Sequence, residues 1–248
     1  MPTATNTATA TSTSSSDLVF SDGFETGNFS AWTSSTTDGG DLSVSSAAAL
    51  NGNNGLQALL HDNIAIYVTD DHPVSEARYR ARFYFDPNSI PMTSGNAHYI
   101  FYGYVGTTTV VLRVEFRFST PNYQLRAALV NDATTWTSSS WFTITDAPHF
   151  VELDWKAATA AEANDGNLTL WIDGNQQANV TGVDNPGLAV QPSQRGITGG
   201  PVVSRGRNLC ERNCADVCRR GRFGSHHCGD TDAGTVYALW RSNWFCLL

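Results

Sequence analysis

Cysteine is absent from the first 209 residues of this 248-residue chain, lysine occurs once, as Lys156, and charged side chains amount to only 15%. Low charge beside 41% hydrophobic and 11% aromatic residues and 21 glycines excludes a disordered chain and a charged coiled coil. No apolar run approaches the roughly 18 residues of a membrane span, so no segment is expected to enter a bilayer. There is no Gly-rich phosphate loop and no Ser/His/Asp grouping. The amino-terminal stretch lacks the basic residues and the apolar core of a secretory signal.

Charge is unevenly spread. Residues 1–196 hold 8 basic and 19 acidic side chains, while residues 197–248 hold 7 and 4. A body this acidic repels a phosphate backbone, which argues against nucleic acid as a partner. All five cysteines, Cys210, Cys214, Cys218, Cys228 and Cys246, fall in the basic end. Two compositions share one chain.

Three regions follow from this. Residues 1–16, almost wholly Thr, Ala and Ser, have the composition of a disordered linker of the kind that tethers extracellular modules. The expectation is a secreted or surface-attached protein, this chain being a monomeric module of something longer. From residue 17 to 185 apolar and polar residues alternate, interrupted by Gly, Asn, Asp and Pro. Residues 78–85 put Tyr79, Ala81, Phe83 and Phe85 on one face and Arg78, Arg80, Arg82 and Tyr84 on the other. Residues 110–119 send Val110, Leu112, Val114, Phe116 and Phe118 inward, with Val111, Arg113, Glu115 and Arg117 outward; Gln124 and Arg126 lie on the polar side of the next strand. Asp173-Gly174 suits a two-residue hairpin turn. Only residues 157–163 suggest a helix. Many antiparallel strands at this spacing predict an all-β, two-sheet sandwich.

Phe20-Ser-Asp-Gly-Phe-Glu25 with Gly27, Ser30 and Trp32, then His149-Phe-Val-Glu-Leu-Asp-Trp155, Asn167-Leu-Thr-Leu-Trp-Ile-Asp-Gly174 and Gly182-Val-Asp-Asn185 carry a resemblance. Over residues 17–185 the chain resembles the concanavalin A-like, laminin-G-like jelly rolls of bacterial surface and polysaccharide-acting proteins. The resemblance implies a jelly-roll sandwich, often non-catalytic and lectin-like, that binds glycans or proteins. It also implies a structural calcium ion near the first strand, for which Asp22 and Glu25 offer oxygen ligands. Such a fold is expected to close with one more aromatic-rich strand. Residues 186–248, rich in Arg, Gly and Cys, show alternation only at 236–240 and are expected to form an atypical, poorly ordered tail, a frameshift product or a small appendage. Their cysteines at intervals of four do not match zinc-binding pairs.

Two site hypotheses remain. Glu152-Leu-Asp154 matches half of a glycanase carboxylate signature, but Lys156 and Ala157 stand where the second glutamate would be needed, so no catalytic residue is expected. The polar strand faces offer the other: Arg80, Arg82, Tyr84, Arg113, Glu115, Arg117 and Arg126 form the predicted ligand-binding set, arginine forks suiting an acidic polysaccharide and Tyr84, Trp136 or Trp141 stacking on sugar rings. The alternative for those residues is a self-neutralising cross-strand ladder. The sequence therefore predicts a non-catalytic carbohydrate-binding or adhesive module; a structural or protein-interaction domain, or a glycoside hydrolase or polysaccharide lyase, are the alternatives.

Overall fold

The computed structural model describes residues 18–62, 64–71, 76–106 and 108–188, together with the backbone course of 195–196, 201–202 and 234–240. The linker, and all of the cysteines, lie outside the described residues. In chain order the strands are β1 (Ser34–Thr36), β2 (Leu42–Ser45), β3 (Gly55–Leu60), β4 (Tyr67–Asp70), β5 (Arg78–Asp86), β6 (Ala97–Val105), β7 (Thr109–Ser119) and β8 (Asn122–Val130). They continue with β9 (Trp136–Ser138), β10 (Phe142–Ile144), β11 (His149–Lys156), β12 (Gly166–Ile172), β13 (Asn175–Val183), β14 (Arg195–Gly196), β15 (Pro201–Val202) and β16 (Gly234–Trp240).

Antiparallel pairing assembles these into two sheets. One runs β1-β4-β14-β6-β7-β8-β10, with β15 beside β6 and β9 beside β8; the other runs β13-β12-β11-β5-β16-β3-β2. The expected jelly-roll sandwich is therefore what the chain forms. Rings from the two sheets meet in its middle: Phe85 of β5 lies edge-on to Phe116 of β7 at 4.9 Å, and Phe83 stacks on Phe101 of β6 at 5.8 Å. All four are fully buried, each stabilising the fold by roughly 1.5–3 kcal/mol relative to exposure.

Alternation explains the layers. In β5 Tyr79, Ala81, Phe83 and Phe85 are buried while Arg78 and Arg80 are exposed; in β7 Leu112, Val114 and Phe116 are buried while Arg113 and Arg117 reach the outer face. The β12–β13 hairpin turns on Asp173 (φ 52°) and Gly174 (φ 76°), both left-handed, as a two-residue turn requires. Residues 157–163 are a loop and not the helix their alanines suggest. The Asp165 carboxylate there accepts the Thr159 backbone N–H at 2.8 Å and its hydroxyl at 2.9 Å, and Glu162 sits at φ 64°, outside helical geometry.

The tail contributes backbone to both sheets. The β16 strand is inserted between β3 and β5, in register from Tyr237↔Asp86 to Trp240↔Phe83 on one side and from Gly234↔Leu60 to Ala238↔Leu56 on the other. The alternating stretch at 236–240 thus occupies an interior position in the seven-stranded sheet.

Candidate functional site

The sequence-predicted arginines are divided between the two sheets. Arg78, Arg80, Arg82 and Tyr84 belong to β5, whose neighbour β11 places Glu152 opposite Arg82 and Asp154 opposite Arg80. Arg78 donates to Asp154 from Nε at 2.8 Å and from Nη2, Arg80 donates to the same carboxylate at 3.0 Å, and Arg82 approaches Glu152 at 3.4 Å. Burial raises the Asp154 carboxyl, and the hydrogen bonds from Arg78 and Arg80 outweigh it, leaving the group below its ordinary value. Arg82 also lies over the Phe150 ring at 4.3 Å, and Tyr84 meets that ring edge-on. This face is the self-neutralising ladder. Asp154 is tied to two guanidiniums here, which suits it neither to proton donation nor to nucleophilic attack.

The second set builds a site. On the outer face of the nine-stranded sheet, cross-strand register aligns Ala97, Arg117 and Gln124 in one row, Tyr99, Glu115 and Arg126 in the next, and Tyr102, Arg113 and Ala128 in a third. At the centre is Glu115, only 4% exposed. Its Oε1 accepts from Arg113 Nε at 2.8 Å, and its Oε2 accepts from Arg126 Nε and Nη2 at 3.0 and 2.8 Å. Arg117 donates from Nε to Gln124 Oε1 at 2.8 Å. No described residue takes a hydrogen bond from the Nη groups of Arg113 or Arg117. Burial, then the charge of Arg126, lowers Arg117 from its ordinary value.

Indole rings brace these cations. Arg113 lies 4.0 Å from the Trp136 ring centre and 5.0 Å from that of Tyr99; Arg117 and Arg126 lie 4.0 and 4.3 Å from the Trp141 ring centre. A cavity of about 300 Å³ opens here, lined by Gly95, Ala97, Tyr99, Arg113, Glu115, Arg117, Arg126 and Trp141. Three guanidiniums against one carboxylate leave it a surplus of positive charge within an acidic molecule, the field an anionic ligand requires.

Sequence reasoning missed the tyrosine row. Strict alternation would put Tyr99 on the opposite face from Tyr102 and Tyr104. The β6 pairing with β7 shifts register between Tyr99 and Phe101, and again between Gly103 and Tyr104. The bulges bring the rings together, Tyr99 5.0 Å from Tyr102 and Tyr102 5.7 Å from Tyr104. Burial, followed by the proximity of Tyr99 and Tyr104, pushes the Tyr102 phenol well above its ordinary value. The only signal for this row is the density of tyrosine in residues 98–105.

Asp22 and Glu25 each hold a separate piece of local structure. The Asp22 Oδ1 accepts the Phe24 N–H at 2.9 Å and its Oδ2 accepts the Trp32 Nε1–H at 2.7 Å, pinning an indole stacked on Phe24. Glu25 instead clasps the 52–54 turn through the backbone N–H and side-chain amide of Asn53. Elsewhere, Asp41, His61 and Asp62 bring three ligand-type atoms within 4.8 Å, with His61 placed between the two carboxylates.

No family model matches the chain, and no curated protein does. Solved structures do. Alginate lyase Aly36B superposes with a TM-score of 0.56 at 10% identity, over 90% of this chain and 94% of the lyase. A double variant of that lyase in complex with an alginate tetrasaccharide superposes with a TM-score of 0.52 at 10% identity, over 90% and 91%. At that identity the likeness establishes a shared fold. It also corrects the expectation of a non-catalytic module: the scaffold matched over nine-tenths of this chain is that of an enzyme, which the missing second glutamate after Asp154 had argued against.

Proposed function

We propose that the chain is a polysaccharide lyase acting on a uronic-acid polysaccharide, with the Glu115-centred face of the nine-stranded sheet as its site. The observation that carries this reading is the cluster of Arg113, Arg117 and Arg126 around one buried carboxylate, walled by Tyr99 and Trp141. The likeness to a lyase that binds an alginate tetrasaccharide supports it.

Elimination at a uronate removes the proton beside the carboxyl group, breaks the bond to the neighbouring glycosidic oxygen and leaves a carbon–carbon double bond. Negative charge builds on the carboxylate as the proton departs. The free Nη groups of Arg113 and Arg117 are the groups to hold that carboxylate and stabilise the developing charge. Tyr99, on the cavity wall, is the phenol placed to hand a proton to the departing oxygen, and the proton removed beside the carboxyl group is taken up by solvent. We infer that the protein acts outside the cell, a reading supported by the linker-like composition of residues 1–16.

Incubation with alginate, polygalacturonate and glucuronan, followed by ultraviolet absorbance of unsaturated sugar ends, tests the reading. At least one is expected to give absorbance rising in step with new reducing ends. Reducing ends without absorbance would mean hydrolysis, and neither signal on any polyuronate would contradict the proposal.

A further inference from the structure

The cationic cluster contains a contact that ligand binding alone does not require. Arg117 and Arg126 are diagonal neighbours on β7 and β8, and burial, then the charge of Arg126, lowers Arg117 from its ordinary value. Two like charges at this separation would splay apart if unrestrained. Both guanidiniums instead rest against one ring, that of Trp141. That ring is itself anchored. The Ser139 N–H donates to the Ala127 carbonyl at 2.9 Å, the Ala127 N–H donates back to Ser139 Oγ at 3.2 Å, and Ser139 Oγ–H donates to the Ser140 carbonyl at 2.8 Å. The 139–141 segment is thus fastened to β8, and Trp141 enters the cavity from a fixed root.

We propose that Trp141 is a positioning residue that sets affinity for the acidic sugar by holding the Arg117 and Arg126 guanidiniums together at the cavity wall. The inference rests on the lyase reading for the identity of the ligand, and on ring geometry for the role. Each contact stabilises the arrangement modestly, but the gain is made before the ligand arrives, so it lowers the ordering cost of binding. Removing the ring lets the arginines separate, and a carboxylate must then gather them again.

The test uses the whole chain as wild type, Trp141→Ala and Trp141→Phe, with calorimetric titration of a tetrameric oligouronate alongside the unsaturated-end assay. Trp141→Ala is expected to weaken binding and raise KM by about tenfold while kcat changes less than about twofold, and Trp141→Phe to recover most of the loss, because a smaller ring still presents a face to the cations. Unchanged affinity in Trp141→Ala would overturn the proposal. So would a Phe variant as impaired as the Ala variant, which would mark shape and not the cation contact as the ring's contribution. If wild type binds the oligouronate but releases no unsaturated ends, the lyase reading fails while the titrations still decide the role of Trp141. No binding by wild type would overturn both.

Discussion

Glu115 and Glu152 show how one residue type has two meanings on the two faces of this sandwich. The Glu115 side chain is 5% exposed and carries hydrogen bonds from Arg113 and Arg126, so removing it leaves two partly buried cations without their counter-charge. Glu152, at 34% exposure, faces one guanidinium at 3.4 Å in a partly solvated setting. Glu115→Ala is expected to destabilise the fold by about 3 kcal/mol and Glu152→Ala by less than about 1 kcal/mol, as read by urea unfolding at one pH. Asp154 adds a pH dependence. Its folded value is depressed, so its contribution is fully present above the ordinary 3.8 and is lost as pH falls through the lower folded value. The stability gap between wild type and Asp154→Asn should therefore be full near neutral pH and close progressively below about 3.8; a gap that stays constant into acid would contradict the pairing.

Among the elements, β16 matters most for how far the sandwich depends on the end of the chain. It lies between β3 and β5, so a chain ending at residue 188 exposes two strand edges inside the seven-stranded sheet. Such a truncation is expected to aggregate or to lose cooperative unfolding, measurable by light scattering and thermal melting. A truncated chain that melts like the full one would remove β16 from the account. The elements legible in the sequence were those that obey alternation without interruption. The β5 and β7 strands reveal both their buried rings and their outward arginines at sight, and Asp173-Gly174 announces its hairpin. What alternation does not carry is pairing between distant segments. Nothing in residues 78–82 or 113–126 says that they belong to different sheets, which decides that the first arginines are neutralised by β11 and the second are left with a surplus. The bulges in β6 are nearly as silent, because they arise from how β6 meets β7, and only one of the two shifted steps holds a glycine, Gly103.

At the scale of the whole molecule, the described residues form a sandwich with a cationic recess on the nine-stranded face, while the arginines of β5 on the other sheet are paired with the carboxylates of β11. No helix among the described residues is long and apolar enough to cross a membrane. Under the proposed function, substrate lies on the nine-stranded sheet. The most direct measurement is the rate of unsaturated-end formation from the best polyuronate, compared between Arg113→Ala/Arg117→Ala and Arg78→Ala/Arg80→Ala. Loss of at least about a hundredfold in the first pair follows from removing the charge stabilisation of the transition state, and the second pair should remain within about threefold of wild type, because exposed pairs contribute little. Equal losses in the two pairs, or a larger loss in the second, would contradict the assignment of the site.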